Sequence, residues 1–242
     1  MAKILLIETT TRTCSAGIAD NGRIVSLRED MSTDYSHSSL LTVFIEEVMH
    51  EAGLQAGDVD AAGVSEGPGS YTGLRIGVAA AKGFCYAKDI PLIAIDTMKA
   101  LTATGLHHMS QIQGVTPPVA GKTLYCPMID ARRMEVYYAL FDRDLNKMGK
   151  TRAEIIDENS FREEHLQDAR IFFFGDGAAK CREVLTSPNM HYVPGVYPSV
   201  RGMASGAEQL FGQGKFVDLA YFEPYYLKNF VAGKPRVKGL YS

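Results

Sequence analysis

The run Gly67-Pro68-Gly69-Ser70-Tyr71-Thr72-Gly73-Leu74-Arg75-Ile76-Gly77 concentrates residue types that can hold an anion. Glycines let a backbone approach a ligand closely, and a loop entering a helix presents unpaired N–H groups at the positive helix end. Ser70 and Thr72 are suited to cap that helix. The run is no Walker loop, because no Gly-Lys-Ser/Thr ends it and no lysine reaches toward a phosphate. Nor is it a nucleophile elbow, since Pro68 stands where Gly-x-Ser-x-Gly needs glycine. A tight strand-to-helix turn explains the same residues, and the residues alone leave the two readings balanced. Arg75 lies within an apolar helix and is expected to pair with a carboxylate, Glu8 being one candidate.

Metal chemistry finds little support. His107 and His108 are neighbours, about 100° apart on a helix, and cannot chelate as an i, i+4 pair does. His37 and His50 are too far apart for such a pair, and Cys14, Cys85, Cys126 and Cys181 form no CxxC motif. Buried, reduced thiols are the expected state of those cysteines.

Elements that could position these groups are read from the pattern of apolar residues. Residues 3–9 read as a buried strand, and the stretches 14–20 and 23–29 flank Asn21-Gly22, a strong signal for a tight hairpin. After a capping cluster at 36–39, Leu40, Leu41, Phe44, Ile45 and Val48 recur at helical spacing, and Gly53 closes that helix. A short strand at 61–65 enters the glycine-rich run. Next come a helix over 74–87, a strand at 91–95 and a helix opened by Asp96-Thr97. In the second half, 124–130, 135–142, 170–174 and 191–193 read as strands, with helices over 177–185 and 199–211. Hairpin-linked strands succeeded by alternating helix and strand predict a mixed sheet with helices against it.

The expected division is a first lobe at 1–104, a Gly/Pro-rich linker at 105–122, a second lobe at 123–227 and a basic tail at 228–242. The tail holds Lys228, Lys234, Arg236 and Lys238 and no acid. Its last ten residues or so are expected to be loosely ordered, and it reads as solvated surface, with contact to RNA or an acidic partner as the alternative. A net charge of −3 argues against a chain that grips nucleic acid alone. There is no signal-peptide core and no run of about 20 apolar residues, so the expected location is the cytoplasm.

At the Gly67–Gly77 run the chain resembles the TsaB family, also called YeaZ, of bacterial threonylcarbamoyladenosine (t6A) biosynthesis. Ile4 to Thr10, Ile93 to Thr97, Asp130-Ala131-Arg132-Arg133 with Glu135-Val136-Tyr137, and Pro224-Tyr225-Tyr226-Leu227 fit it too, in order along nearly the whole chain. The resemblance implies an α/β fold of the ASKHA class, shared by actin, Hsp70 and sugar kinases, with two mixed-sheet lobes flanked by helices. It implies a pseudoenzyme: a scaffold that activates a catalytic paralogue, TsaD, which adds threonylcarbamoyl to N6 of an adenosine beside the tRNA anticodon. Its implied partners are that paralogue, the P-loop ATPase TsaE, a second copy of itself when alone, and tRNA through the complex, with no membrane.

TsaD carries a His-x-x-x-His metal pair, and the matching stretch here, Asp96 to Leu101, has no histidine. No metal and no catalytic residue are therefore expected. By resemblance, Glu8-Thr9-Thr10 and Gly175-Asp176-Gly177 stand where this fold binds phosphates and nucleotide, with Asp96 at a further strand end. They form a vestigial cleft without a lysine or magnesium clamp, so no cofactor is expected beyond weak nucleotide binding at a complex interface. The partner surface implied is the helix pair bearing Leu40, Leu41, Phe44, Ile45, Val48, Leu74, Val78 and Lys82. The alternative function is a stand-alone ATP-dependent phosphotransferase, with a metallopeptidase a distant third.

Overall fold

A computed structural model of the chain describes residues 2–31, 37–112, 122–163 and 169–228. Strand β1 (Lys3–Glu8) is buried beyond its first residue because it is the middle strand of a sheet covered on both faces. Leu5 and Ile7 join a cluster with Leu41, Val48 and Val78, whereas Ile4 and Leu6 join Val200, Met203 and Ala207. That alternation is the two-residue period of a strand, and covering both faces makes it read as one apolar run.

Asn21 and Gly22 adopt φ of 52° and 72° and turn β2 (Cys14–Asp20) into β3 (Arg23–Asp30), the geometry a two-residue hairpin requires. β4 (Ala61–Gly67) pairs parallel to β1, and β5 (Leu92–Asp96) parallel to β4, giving the order β3-β2-β1-β4-β5. Helices α1 (His37–Glu51) and α2 (Tyr71–Lys88) pack on one face. Helix α3 (Thr97–Gln111) continues directly from β5.

The second sheet repeats the plan. β6 (Thr123–Asp130), β7 (Glu135–Tyr138) and β8 (Arg152–Ile155) form an antiparallel meander, with β9 (Arg170–Phe174) parallel to β6 and β10 (Met190–Tyr192) parallel to β9. The order β8-β7-β6-β9-β10 puts each strand where its counterpart stands in the first sheet. The expected ASKHA fold, two mixed-sheet lobes flanked by helices, is the one adopted.

Several boundaries differ from expectation. The strand expected over 135–142 stops at Tyr138, and Phe141 rejoins through isolated bridges to Tyr125 and Lys147. The helix expected over 177–185 is a single turn, α4 (Ala178–Cys181), continued by turns. The one expected over 199–211 opens as a 3₁₀ turn, Val200–Gly202, before α5 (Ala204–Gly212). Strand β8 is a short edge whose four residues carry too little alternation to announce it.

Residues 105–111, expected in the linker, continue α3. Gly105 serves there as a seat for the Phe174 ring, which would lie 2.7 Å from any Cβ. Residues 113–121 of that linker lie outside the described residues, as do 229–242 of the basic tail. Residues 200–222, expected in the second lobe, pack on the first. Val200, Met203, Ala204 and Ala207 cover the sheet face of Ile4, Leu6 and Ile93, and Val217 donates its N–H to the Leu92 carbonyl on the β5 edge (3.0 Å). The reason is burial: that face needs a cover, and this segment supplies small apolar residues that fit.

Candidate functional site

Glu8 ends β1 with no exposed surface. Its Oε1 accepts the Thr10 N–H (2.6 Å) and the Thr10 hydroxyl, and the Ser65 hydroxyl donates to Oε2. Parallel pairing sets Ile7 beside Val64, which brings Ser65 level with Glu8. A carboxylate so enclosed is a strut between strands; no ligand can reach it.

The neighbouring hydroxyls are also engaged. Thr9 donates its hydroxyl to the Gly73 carbonyl (2.7 Å), and the Ser70 N–H donates to the Thr10 carbonyl (2.6 Å). A Cβ on Gly69, Gly73 or Gly77 would stand 2.4, 2.0 or 2.3 Å from Thr10 O, Thr9 O or Thr9 Oγ1. The glycines of the signature therefore seat the first turns of α2 against the end of β1. Ser70 caps that helix by accepting the Gly73 N–H (3.2 Å), and Thr72 is exposed. Gly67, at φ 116° before a cis bond to Pro68, donates its N–H to Thr97 Oγ1 (2.9 Å).

The second lobe places Gly175, at φ 102°, at the end of β9, where the first has Gly67 at the end of β4. Asp176 Oδ1 accepts the Asp130 N–H (3.1 Å), and the Gly177 N–H donates to the Met128 carbonyl (3.0 Å). Burial pushes the Asp176 carboxyl above the usual range; the Asp130 N–H opposes this, while the Asp130 charge adds to it. Asp130 ends β6 as Glu8 ends β1, but it pairs with Lys180, whose Nζ also donates to the Glu135 carbonyl (2.7 Å). Arg132 and Arg133, both at positive φ, turn the chain into β7.

Between the lobes lies a cleft of about 480 Å³ whose walls include Thr10, Arg12, Ser70, Arg132, Asp176 and Lys228. A second hollow of about 740 Å³ shares Thr11, Arg12, Asp130 and Asp176 with it and adds Phe173 and Tyr192. Of the expected cleft residues, Thr10 and Asp176 line the first hollow and Gly175 the second. Glu8 and Thr9 are buried, the latter behind the loop. Asp96 is elsewhere: it caps α3 by accepting the Lys99 N–H (3.0 Å) and pairs with Lys147. Beside it, burial and then the Asp96 charge push the Glu66 carboxyl upward.

Sequence reasoning does not single out Arg12, Ser65 or Lys180, and it marks Lys228 only as a cation of the basic tail. Ser65 and Lys180 acquire their roles only through strand register, although the repeated plan could have marked Asp130 as the counterpart of Glu8. The expected Arg75–Glu8 pair is also replaced. Arg75 is exposed, its guanidinium 5.5 Å from the centroid of the Tyr71 ring.

Among the partner-surface candidates, Leu41, Val48, Leu74 and Val78 are buried in this chain's own core, and Leu40, Phe44 and Ile45 are packed against it. Lys82 donates to the carbonyls of Ala220 (3.2 Å) and Phe222 (3.0 Å). The outward faces carry Val43, Arg75, Ala79, Gly83 and Tyr86 instead. All four cysteines are buried, and burial raises the thiols of Cys14 to about 12 and of Cys85 and Cys181 to about 11. Among the described residues no three His, Cys, Asp or Glu side chains gather as a metal would require, and no helix is long and apolar enough to cross a membrane.

A family model described as "TsaD: tRNA N6-adenosine threonylcarbamoyltransferase" matches residues 32–187. The tRNA threonylcarbamoyladenosine biosynthesis protein TsaB of Escherichia coli strain K12 is 27% identical over 237 residues, spanning 96% of this chain and 97% of its own. That of Haemophilus influenzae is 28% identical over 240 residues, with 96% and 95% covered. The solved structure of YeaZ from Pseudomonas aeruginosa superposes with a TM-score of 0.78 at 21% identity, covering 94% of this chain and all of that one.

Proposed function

This chain belongs to the TsaB/YeaZ family within the TsaD family, and on that premise we propose that it is a non-catalytic activator of a TsaD-type transferase in t6A formation. The observation that carries the reading is the state of Glu8. The acid whose position resembles the first phosphate loop of the fold is fully buried and bonded to Thr10 and Ser65, which supports a chain that places no metal–phosphate group there. The activation is exerted through the outward faces of α1 and α2, where Val43, Glu46, Arg75, Ala79, Gly83 and Tyr86 give a surface of small, aromatic and oppositely charged residues. A second copy of the chain is the partner when the transferase is absent. A TsaE-like ATPase completes the assembly, and tRNA is engaged by the assembly as a whole.

The test is t6A formed on tRNA by the transferase, the ATPase and the adenylate synthase, with and without this chain. Product that depends on the chain, and falls with Arg75→Glu, is expected. Equal product without it would remove the activator role, and phosphoryl transfer from ATP by the isolated chain would put a phosphotransferase in its place.

A further inference from the structure

The segment Glu223 to Lys228 leaves the first lobe, forms part of the wall of the cleft and ends on the second lobe. Its root is fixed repeatedly. Lys82 holds the preceding turn by two carbonyls, and Asp218 Oδ1 accepts the N–H groups of Ala220 (2.8 Å) and Tyr221 (3.0 Å). Tyr225 donates its N–H to the Glu66 carbonyl (2.7 Å), and its own carbonyl oxygen lies 2.6 Å from where a Gly67 Cβ would be. Tyr226 sets its ring 4.9 Å, centroid to centroid, from that of Tyr71, the first residue of α2.

The far end is held differently. Lys228 pairs with Glu135 on β7, the two side chains being 41% and 22% exposed. Tyr225 to Lys228 form one wall of the 480 Å³ cleft, which Arg132 and Asp176 also line. Backbone hydrogen bonds and ring contacts tolerate salt, whereas an ion pair that water reaches on the Lys228 side is weaker and partly screened. A segment with a firm root and a screened tip has the mechanics of a lid.

We propose that residues 223–228 are a latched strap over the interlobe cleft, with Lys228–Glu135 as the latch. Release of the latch uncovers the β6–β7 turn and Asp176 while both sheets stay folded. The latch ends on that turn because Lys180 ties it together, bonding the Glu135 carbonyl and pairing with Asp130. The strap is a property of the isolated chain, so its test requires no transferase and stands apart from the activator reading.

Hydrogen exchange read by mass spectrometry on the full chain would compare the wild type, Lys228→Glu and Lys228→Glu/Glu135→Lys. The single reversal is expected to speed exchange roughly two- to fivefold in peptides spanning 130–137 and 223–228, with β1 and β9 peptides unchanged. The swapped pair restores the wild-type rates, and ~1 M salt on the wild type reproduces part of the acceleration. Unchanged exchange in the single reversal would overturn the latch. So would acceleration that spreads through both sheets, or failure of the swapped pair to restore the wild-type pattern.

Discussion

Gly67 and Gly175 close the fourth strand of their respective sheets with positive φ, yet the acids beside the two turns end in opposite states. After Gly67 comes an 18-residue helix pressed by its glycines onto Thr9 and Thr10, above a carboxylate with no exposed surface. After Gly175 comes a four-residue helix, and Asp130, Asp176 and Arg132 remain on the cleft wall. Both turns press glycines onto neighbouring backbone, and both line the interlobe cleft, the first through Gly69, Ser70 and Thr72 and the second through Asp176. What differs is the acid at the end of the central strand, sealed at Glu8 and open at Asp130. Glycine spacing thus reports how closely two backbones approach, while the atoms opposite decide whether chain or ligand fills the gap.

The largest effect should come from Gly73→Ala, which sets a Cβ 2.0 Å from a backbone oxygen. A loss of about 3 kcal/mol or more is expected in urea unfolding, because backbone and not a flexible side chain must yield. A Gly73→Ala chain of wild-type stability would show that α2 does not press on β1 as described. Next is Glu8→Gln, which keeps the volume but turns an amide N–H₂ toward Thr10 or Ser65 donors. About 2 kcal/mol should be lost in the same assay, and a neutral result would return Glu8 to the list of idle cleft acids.

Two smaller changes sharpen the contrast. Gly83 lies on the same helix as Gly73 with nothing within 4 Å of its would-be Cβ, so Gly83→Ala should stabilise the isolated chain by about 0.5–1 kcal/mol. It should also weaken assembly with the transferase in a pull-down if the partner helix packs there. In the second lobe the raised carboxyl of Asp176 makes the folded chain bind protons more readily than the unfolded one. Stability from that group is present below its unfolded pKa and is lost as pH rises through the folded value. Asp176→Asn, which keeps the Oδ1 acceptor for the Asp130 N–H, should gain roughly half a kcal/mol at about pH 7 and nothing near pH ~3. Thermal melts across that range check it, and a gain that persists unchanged at low pH would assign the effect to something other than the charge.

The features readable from sequence were mostly local. Asn21-Gly22, the run Ile4–Ile7 and the cap at Asp96 each announce their element within a few residues, and the first sheet can be assembled from them. Gly105 misled because glycine is a poor helix former; only the distant Phe174 ring shows why a side chain is excluded there. The site was legible as a set of positions but not as a set of states. Glu8 was found, but its burial depends on Ser65 across a parallel pairing. Asp96 announces its helix cap, but its pairing with Lys147, 51 residues away, does not show in the sequence. Leu41 and Leu74 were found on the right helices, but periodicity marks the apolar face, which here turns inward.

The cover that Val200, Met203 and Ala207 lay over Ile4 and Leu6 has a bearing on how the protein is made. Strand β1 is sealed by α5, translated roughly 200 residues after it, and at about 5–20 residues per second that interval is roughly 10–40 s. For that time one side of the first sheet, already hairpin-paired, stays wet and apolar. The second lobe, whose strands fall between residues 123 and 192, has no such wait for its own sheet. Nascent chains halted before Val200 should therefore resist protease in their second lobe sooner than in their first, inverting the order in which the lobes are synthesised.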